Sequence, residues 1–411
     1  MVLNDRQKAG ASSGSNLKHA HLLNQRVILQ AVRLYAPICR VELARRTGLT
    51  PQTVFNITAA LKRNGLIKEL GQETGRRGPP ARAFGVNADG AFSIGVRLEN
   101  EQIAAVLVDM AGTVRGRTVQ AGGQLTPGNA SKEILRAIRS LQRKISGKRI
   151  CGVGVTLPEP VDVQPGGVCP TLNLAALEKV DLQDVLGTKT GLRIFVDNEA
   201  VAAAVGEHWC GIARDFNSFC YLYVGSGVRA AMVLAGQPLR GFRANAGEVG
   251  HMVVDRGPGA RPCACGKRGC LNTRLGLDTL SADLRNEGLP GVKPIQLVTL
   301  LENRNEVLLK GLDTAASRLS EAVETLHLLF DPEAFVLGGC LPAPLLAYLS
   351  ERCQNNLKTR TLPKWFTTPQ IVPASLEGGA VHGAAVLPLA DLITPHNPGI
   401  GDPRSLTLLQ P

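Results

Sequence analysis

Gly250 to Cys270 constrains this chain more than any other stretch. It reads Gly250-His251, eleven further residues, then Cys263-Ala264-Cys265-Gly266-Lys267-Arg268-Gly269-Cys270. One imidazole and three thiols this close together form a donor set suited to a tetrahedral zinc ion. Gly266 and Gly269 let the backbone fold tightly around an ion. The four candidates His251, Cys263, Cys265 and Cys270 would fill the coordination shell and leave no place for water. The expectation is therefore a structural Zn2+ site, not a catalytic one. The alternative is a set of unrelated buried cysteines.

A chain of 411 residues is expected to hold two or three domains. It contains no run of eighteen apolar residues, so no membrane span is expected. The N-terminal segment is polar and lacks the apolar core of an export signal. Cys39, Cys151, Cys169, Cys210, Cys220, Cys340 and Cys353 are scattered in mostly apolar contexts and read as buried thiols. A reducing, cytoplasmic location fits them better than a disulfide framework. The net charge is +12, and residues 1–85 carry fourteen Lys and Arg against four Asp and Glu, a net of +10. Charge concentrated at one end points to a polyanion partner.

Residues 1–15 are small and polar and are expected to be disordered. Val27, Ile28, Ala31, Val32 and Tyr35 form a helical face over 24–35. Val41, Leu43 and Ala44 pack a second short helix that Gly48 can end in the left-handed conformation. Thr50 caps a third helix, with Pro51 at its first position. Val54, Ile57 and Leu61 are its buried stripe, which makes a helix-turn-helix. Gln52, Thr53 and Asn56 then face outward, and Gln and Asn can pair with adenine in the major groove. Lys62 and Arg63 suit phosphates. Phe55 is set either to pack on a thymine methyl or to weaken DNA contact. Residues 66–70 and 83–87 can pair as a hairpin. Its tip, Gly75-Arg76-Arg77-Gly78-Pro79-Pro80, offers Arg76 and Arg77 to a narrow minor groove. The expectation for 16–87 is a winged helix-turn-helix bound to double-stranded DNA. The bland alternative is a small helical domain that binds protein.

Residues 88–393 read as a second domain. Strands are expected at 92–96, 103–109, 113–119, 149–157, 193–196, 219–224 and 230–234, with helices near 131–144 and 198–208. A strand–loop–strand unit occurs twice, after Gly95 and around Gly225-Ser226-Gly227. Residues 394–411 read as a flexible tail.

Asn245-Ala246-Gly247-Glu248-Val249-Gly250-His251, followed by Cys-x-Cys-Gly-x-x-Gly-Cys, resembles the signature of the ROK family of repressors, open reading frames and sugar kinases. The head resembles the DNA-binding domain of ROK regulators, and the resemblance covers about residues 16–393. It implies a duplicated, two-lobed α/β fold of the actin and sugar-kinase type (ribonuclease H-like), with a late helix from Gly379 to about Leu387 returning to the first lobe. By resemblance, Asn173, Asn198, Glu248 and His251 would contact a sugar, and His251 would also hold the metal. Glu199 stands where the kinases place the Asp that takes the proton from the attacking hydroxyl, so it reads as a degenerate base position within the ligand site.

Other positions depart from the kinase pattern. Arg97 replaces the carboxylate of the first phosphate loop, whose glycines are also missing. Arg229 follows the second loop. Both arginines are expected either to fill the ATP site or to bind an anionic effector. Val336-Leu337-Gly338-Gly339 matches the adenosine motif. Glu159 and Asn272 replace residues usual at the pocket wall. The resulting expectation is a sugar-responsive DNA-binding regulator, a repressor, forming a homodimer or homotetramer and taking a sugar or sugar phosphate as effector. One rival is an active ATP-dependent sugar kinase with an accessory DNA-binding domain. The other is a DNA-binding regulator that no longer binds a ligand.

Overall fold

The computed structural model describes residues 17–72, 82–98, 102–121, 127–157, 181–242, 244–289, 294–360 and 367–394. The expected disorder of 1–15, most of the tail, the wing tip with Arg76 and Arg77, Cys169, and Glu159 and Asn173 lie outside these residues.

The head comprises α1 (Leu17–Tyr35), β1 (Ile38–Cys39), α2 (Arg40–Thr47), α3 (Pro51–Arg63), β2 (Ile67–Gln72) and β3 (Arg82–Val86). Gly48 ends α2 at φ +70°, with its N–H donating to the Ala44 carbonyl. Thr50 caps α3 by accepting from the Thr53 N–H. Leu43, Val54, Ile57 and Leu61 are buried together, as their spacing requires. The helix over 24–35 begins earlier than expected, at Leu17. The sheet order is β1-β3-β2, so the hairpin gains a third strand. A two-residue strand is too short to show alternation in sequence.

Two five-stranded sheets follow with one topology. The first holds β4 (Phe92–Leu98), β5 (Gln102–Asp109), β6 (Val114–Ala121), β7 (Ile150–Leu157) and β8 (Ile194–Asn198) in the order β6-β5-β4-β7-β8. The second holds β9 (Phe219–Val224), β10 (Val228–Leu234), β11 (Gln237–Pro238), β12 (Ala334–Gly339) and β13 (Ile371–Pro373) in the order β11-β10-β9-β12-β13. In each, the first three strands are antiparallel and the last two join in parallel. This is the expected duplication. All of β9 and nearly all of β4 and β7 are buried, as in sheets covered on both faces. The first sheet carries α4 (Pro127–Gln142) and α5 (Leu182–Thr190). Around the second lie α7 (Leu277–Asn286), α8 (Pro294–Glu302), α9 (Glu306–Phe330) and α10 (Ala343–Lys358).

Two helices lie between the sheets. The helix α6 (Glu199–Cys210) packs on the second sheet, with Ala200, Val201 and Ala204 sharing a core with Phe219, Tyr221 and Val336. The helix α11 (Gly379–Ile393) returns to the first sheet, where a Cβ at Gly154 would stand 1.9 Å from the Ala384 carbonyl oxygen. The two helices also touch through backbone, because a Cβ at Gly383 would meet the Ala202 carbonyl oxygen at 1.8 Å. Leu22, Ile28 and Val32 of the head share one apolar core with Val108, Met110, Trp209, Leu389 and Leu392. The head is therefore packed onto the first lobe and the two central helices.

Candidate ligand cleft, metal loop and nucleic-acid face

The metal loop is assembled by local backbone bonds. Val253 bridges Cys270 and Pro262 bridges Arg268. The Val254 and Asp255 N–H groups both donate to the Gly269 carbonyl. Gly269 has φ +75°, and a Cβ there would lie 1.7 Å from the Asp255 carbonyl oxygen, so only glycine fits. The donor atoms of His251, Cys263, Cys265 and Cys270 all lie within 4.8 Å of one another. His251 Nδ1 is 3.6 Å from Cys263 Sγ, and Cys265 Sγ is 3.7 Å from Cys270 Sγ. A tetrahedron of zinc bonds of about 2.0–2.3 Å spaces its donors by about 3.3–3.8 Å. The set fits such an ion. The Lys267 N–H holds the Cys265 thiol below its ordinary pKa, which favours the thiolate a metal requires.

A cavity of about 480 Å3 opens beside this loop. Its lining includes Glu199, Gly225, Arg229, Glu248, His251 and Asn272. The two jobs expected of His251 are thus compatible in space, with its Nδ1 toward sulfur and its ring against the cleft. The Oδ1 of Asn272 accepts from the Val228 N–H at 2.7 Å, and its amide packs on Gly227 and Gly250. It ties the metal loop to the second glycine loop. Asn198 is buried, and its Oδ1 caps α6 by accepting from the Val201 N–H at 2.9 Å.

The two arginines expected at the phosphate loops face carboxylates of the same chain. Arg97 Nε donates to Glu199 Oε1 at 2.5 Å, and its Nη2 lies 3.0 Å from Cys340 Sγ. Arg229 Nε is 3.2 Å from Glu248 Oε1. Arg240 Nη1 donates to Asp197 Oδ2 at 2.6 Å, although burial pushes that carboxyl upward. Glu199, placed as a base by resemblance, is therefore clamped by a guanidinium in a buried setting, where a charge pair is held firmly. The glycines of Val336-Leu337-Gly338-Gly339 have a packing reason: a Cβ at Gly338 would meet the Tyr221 hydroxyl at 2.0 Å, and one at Gly339 the Val224 carbonyl oxygen at 2.2 Å.

On the head, Gln52 and Asn56 are exposed and side by side one turn apart, with Gln52 Nε2 donating a hydrogen bond to Asn56 Oδ1 at 3.2 Å. The Thr53 hydroxyl lies 2.9 Å from that of Thr50 and belongs to the cap. Phe55 is half exposed but not free, since the Arg40 guanidinium lies 4.8 Å from its ring centroid. Arg63 is exposed, whereas Lys62 donates to Glu69 at 2.8 Å. An exposed pair of that kind is weak and yields readily to a phosphate.

Sequence reasoning missed the partners Cys340, Arg240 and Tyr223, whose hydroxyl lies 3.2 Å from Cys340 Sγ. It also missed Glu207, a lone carboxylate that follows the apolar run 200–206 of α6. That isolation was its signal.

The ROK family profile matches residues 93–390, and a winged helix-turn-helix DNA-binding profile matches 23–68. The chain is 27% identical over 336 residues to a putative xylose repressor of Caldicellulosiruptor sp. strain Rt8B.4, covering 77% of this chain and 83% of that one. It is 26% identical over 398 residues to the DNA-binding transcriptional dual regulator NagC of Escherichia coli K12, covering 92% and 95%. A crystal structure of a ROK family transcriptional regulator, a homologue of E. coli MLC protein, superposes with a TM-score of 0.76 at 22% identity, covering 95% and 99%. A ROK hexokinase from Thermus thermophilus gives 0.59 at 27% identity, covering 72% of this chain and 97% of that one. Among the described residues, no helix is long and apolar enough to cross a membrane.

Proposed function

The chain belongs to the ROK family, and we propose that it is a cytoplasmic, DNA-binding transcriptional repressor that responds to a sugar and no longer transfers phosphate. The observation that carries this reading is the Arg97–Glu199 pair, set in a sugar-kinase fold with a winged helix-turn-helix packed on its first lobe. Glu199 Oε1 is taken up by Arg97 rather than turned toward a substrate hydroxyl, and Arg97 stands where a carboxylate would help hold magnesium. Arg97 and Arg229 are engaged by Glu199 and Glu248, so the described lining favours an uncharged sugar over a sugar phosphate. Asn198, Glu199, Glu248 and His251 would form the ligand site, with Asn173 the further candidate. His251, Cys263, Cys265 and Cys270 would hold a structural zinc ion. Gln52, Thr53 and Asn56 would read bases, Lys62 and Arg63 would hold phosphates, and Arg76 and Arg77 would enter the minor groove. A homodimer would present two heads to a palindromic site.

A thermal-shift screen tests the ligand half of this reading. The panel holds free sugars, sugar phosphates, and ATP with magnesium. Binding to the native state raises the melting point by mass action. A shift with a free sugar and none with ATP–magnesium is expected. A shift with ATP–magnesium, together with phosphate transfer abolished in Glu199→Gln, would return the kinase. A flat response would leave a ligand-independent regulator. For the head, Asn56→Ala should weaken a duplex selected by the wild-type protein by about 1–3 kcal/mol, the usual worth of one bidentate base contact. Equal affinity for that duplex, measured by fluorescence anisotropy, would remove Asn56 from the reading face.

A further inference from the structure

The helix α6 has one end in the cleft and the other against the head. Its first residue, Glu199, pairs with Arg97 at the cavity. In its last turn the Trp209 carbonyl accepts from Arg33 Nη1 at 3.1 Å, and the Arg33 guanidinium lies 4.3 Å from the Trp209 ring centroid. Arg214 Nη2 donates back to the Arg33 carbonyl at 3.2 Å. Twelve helical residues span about 18 Å. An anion stands at the N-terminus and a cation at the C-terminus, the arrangement the helix dipole favours.

Arg33 has an unusual setting. It lies near the end of α1, whose Ile28, Leu29 and Val32 support Val54, Ile57 and Leu61 of α3. Among the described residues its guanidinium has no carboxylate partner, and it rests on a carbonyl and an indole face. Burial, with Arg214 nearby, lowers its pKa to about 10. Such a contact depends on where the helix end stands, because a carbonyl dipole and a π face are short-ranged and directional. Bending along the way is restricted. The interior of α6 is packed against α11 through the Gly206–Gly383 backbone contact, and Glu207 fastens it to the loop after β13. Close-packed elements pass a displacement on rather than absorb it.

We propose that α6 carries the state of the cleft to the DNA-binding head, with Arg33 as the positioning residue that receives it. A sugar that reorganises the Arg97–Glu199 pair shifts the start of α6, and Arg33 reports the shift to α1 and through it to α3. This rests on the reading of the cleft as an effector site.

Hydrogen exchange followed by mass spectrometry on the full chain tests the link without a known sugar or operator. The proteins are wild type, Arg97→Met, Arg33→Met and the double variant, with Glu199→Gln replacing Arg97→Met should the latter fail to fold. Cutting the cleft pair should speed exchange in α1–α3 on the order of threefold or more. In the Arg33→Met background the same cut should leave the head unchanged, and Arg33→Lys should restore part of the response. Faster exchange confined to the cleft, or an equal head response with and without Arg33, overturns the proposal. The sugar screen separates the two ideas. A coupled head in a protein deaf to every sugar sinks the effector reading alone, while a sugar-responsive protein with an uncoupled head sinks the relay alone.

Discussion

Glu207→Ala should lower the stability of this protein by about 1–3 kcal/mol, because a buried acceptor of several partly exposed donors is lost. The Glu207 side chain is fully buried in the last turn of α6. Its Oε1 accepts from the Ser375 N–H at 2.8 Å and the Leu376 N–H at 2.7 Å. Its Oε2 accepts from the Ile212 N–H and the Ser375 hydroxyl, both at 2.8 Å. Alanine removes the acceptors and keeps the donors. Ile212 retains the Ser375 hydroxyl as a second acceptor, but the Ser375 and Leu376 amides lose theirs. An unpartnered N–H costs about 1–3 kcal/mol when buried, but Ser375 is exposed and Leu376 half-buried, so water replaces part of what the carboxylate supplied. Glu207→Gln should lose less, since one carbonyl oxygen still faces Ser375 and Leu376 while its NH2 confronts a donor. Thermal and urea unfolding of the three proteins check the order. A Glu207→Ala melting point equal to wild type would show that the bonds contribute nothing net.

Cys270→Ala should abolish zinc binding at the proposed site and release the loop from His251 to Cys270. Cys270 is fully buried and bonded through its backbone to the strand-like segment at Val253, so it is the inner anchor of the donor set. Without a cation, burial pushes its thiol up to about 12, so the thiolate a metal needs is disfavoured there until the ion arrives. Binding of a structural zinc ion contributes on the order of 10 kcal/mol to the fold it closes. His251 and Cys263 also line the cavity, so metal loss should erase the sugar response together with local order. Cys353→Ala supplies the comparison, because Cys353 is equally buried but stands outside the donor set. Elemental analysis should find about one zinc per chain in wild type and Cys353→Ala, and a large loss in Cys270→Ala. Full zinc retention in Cys270→Ala, or none in the wild type, would dismiss the site.

What the sequence determined by itself is local. The clustering of His251, Cys263, Cys265 and Cys270 was legible because these side chains fall within a span that two glycines can fold. The helix-turn-helix was legible because the left-handed stop at Gly48, the cap at Thr50 and the stripe Val54, Ile57, Leu61 all obey the geometry of a single helix turn. The duplicated sheet was legible in part, from the repeated strand–loop–strand unit, while β1 and β11, each two residues long, left no periodic trace. The partners of the charged groups were decided only by the tertiary structure. Arg97 meets Glu199 across 102 residues, Glu207 meets Ser375 across 168, and Arg33 meets the Trp209 carbonyl across 176. Backbone periodicity and cap chemistry act over a few residues and leave their mark in spacing. Ion pairs between distant segments follow from how sheets and helices stack, which is set by the packing of the whole core and is written in no one stretch of the chain.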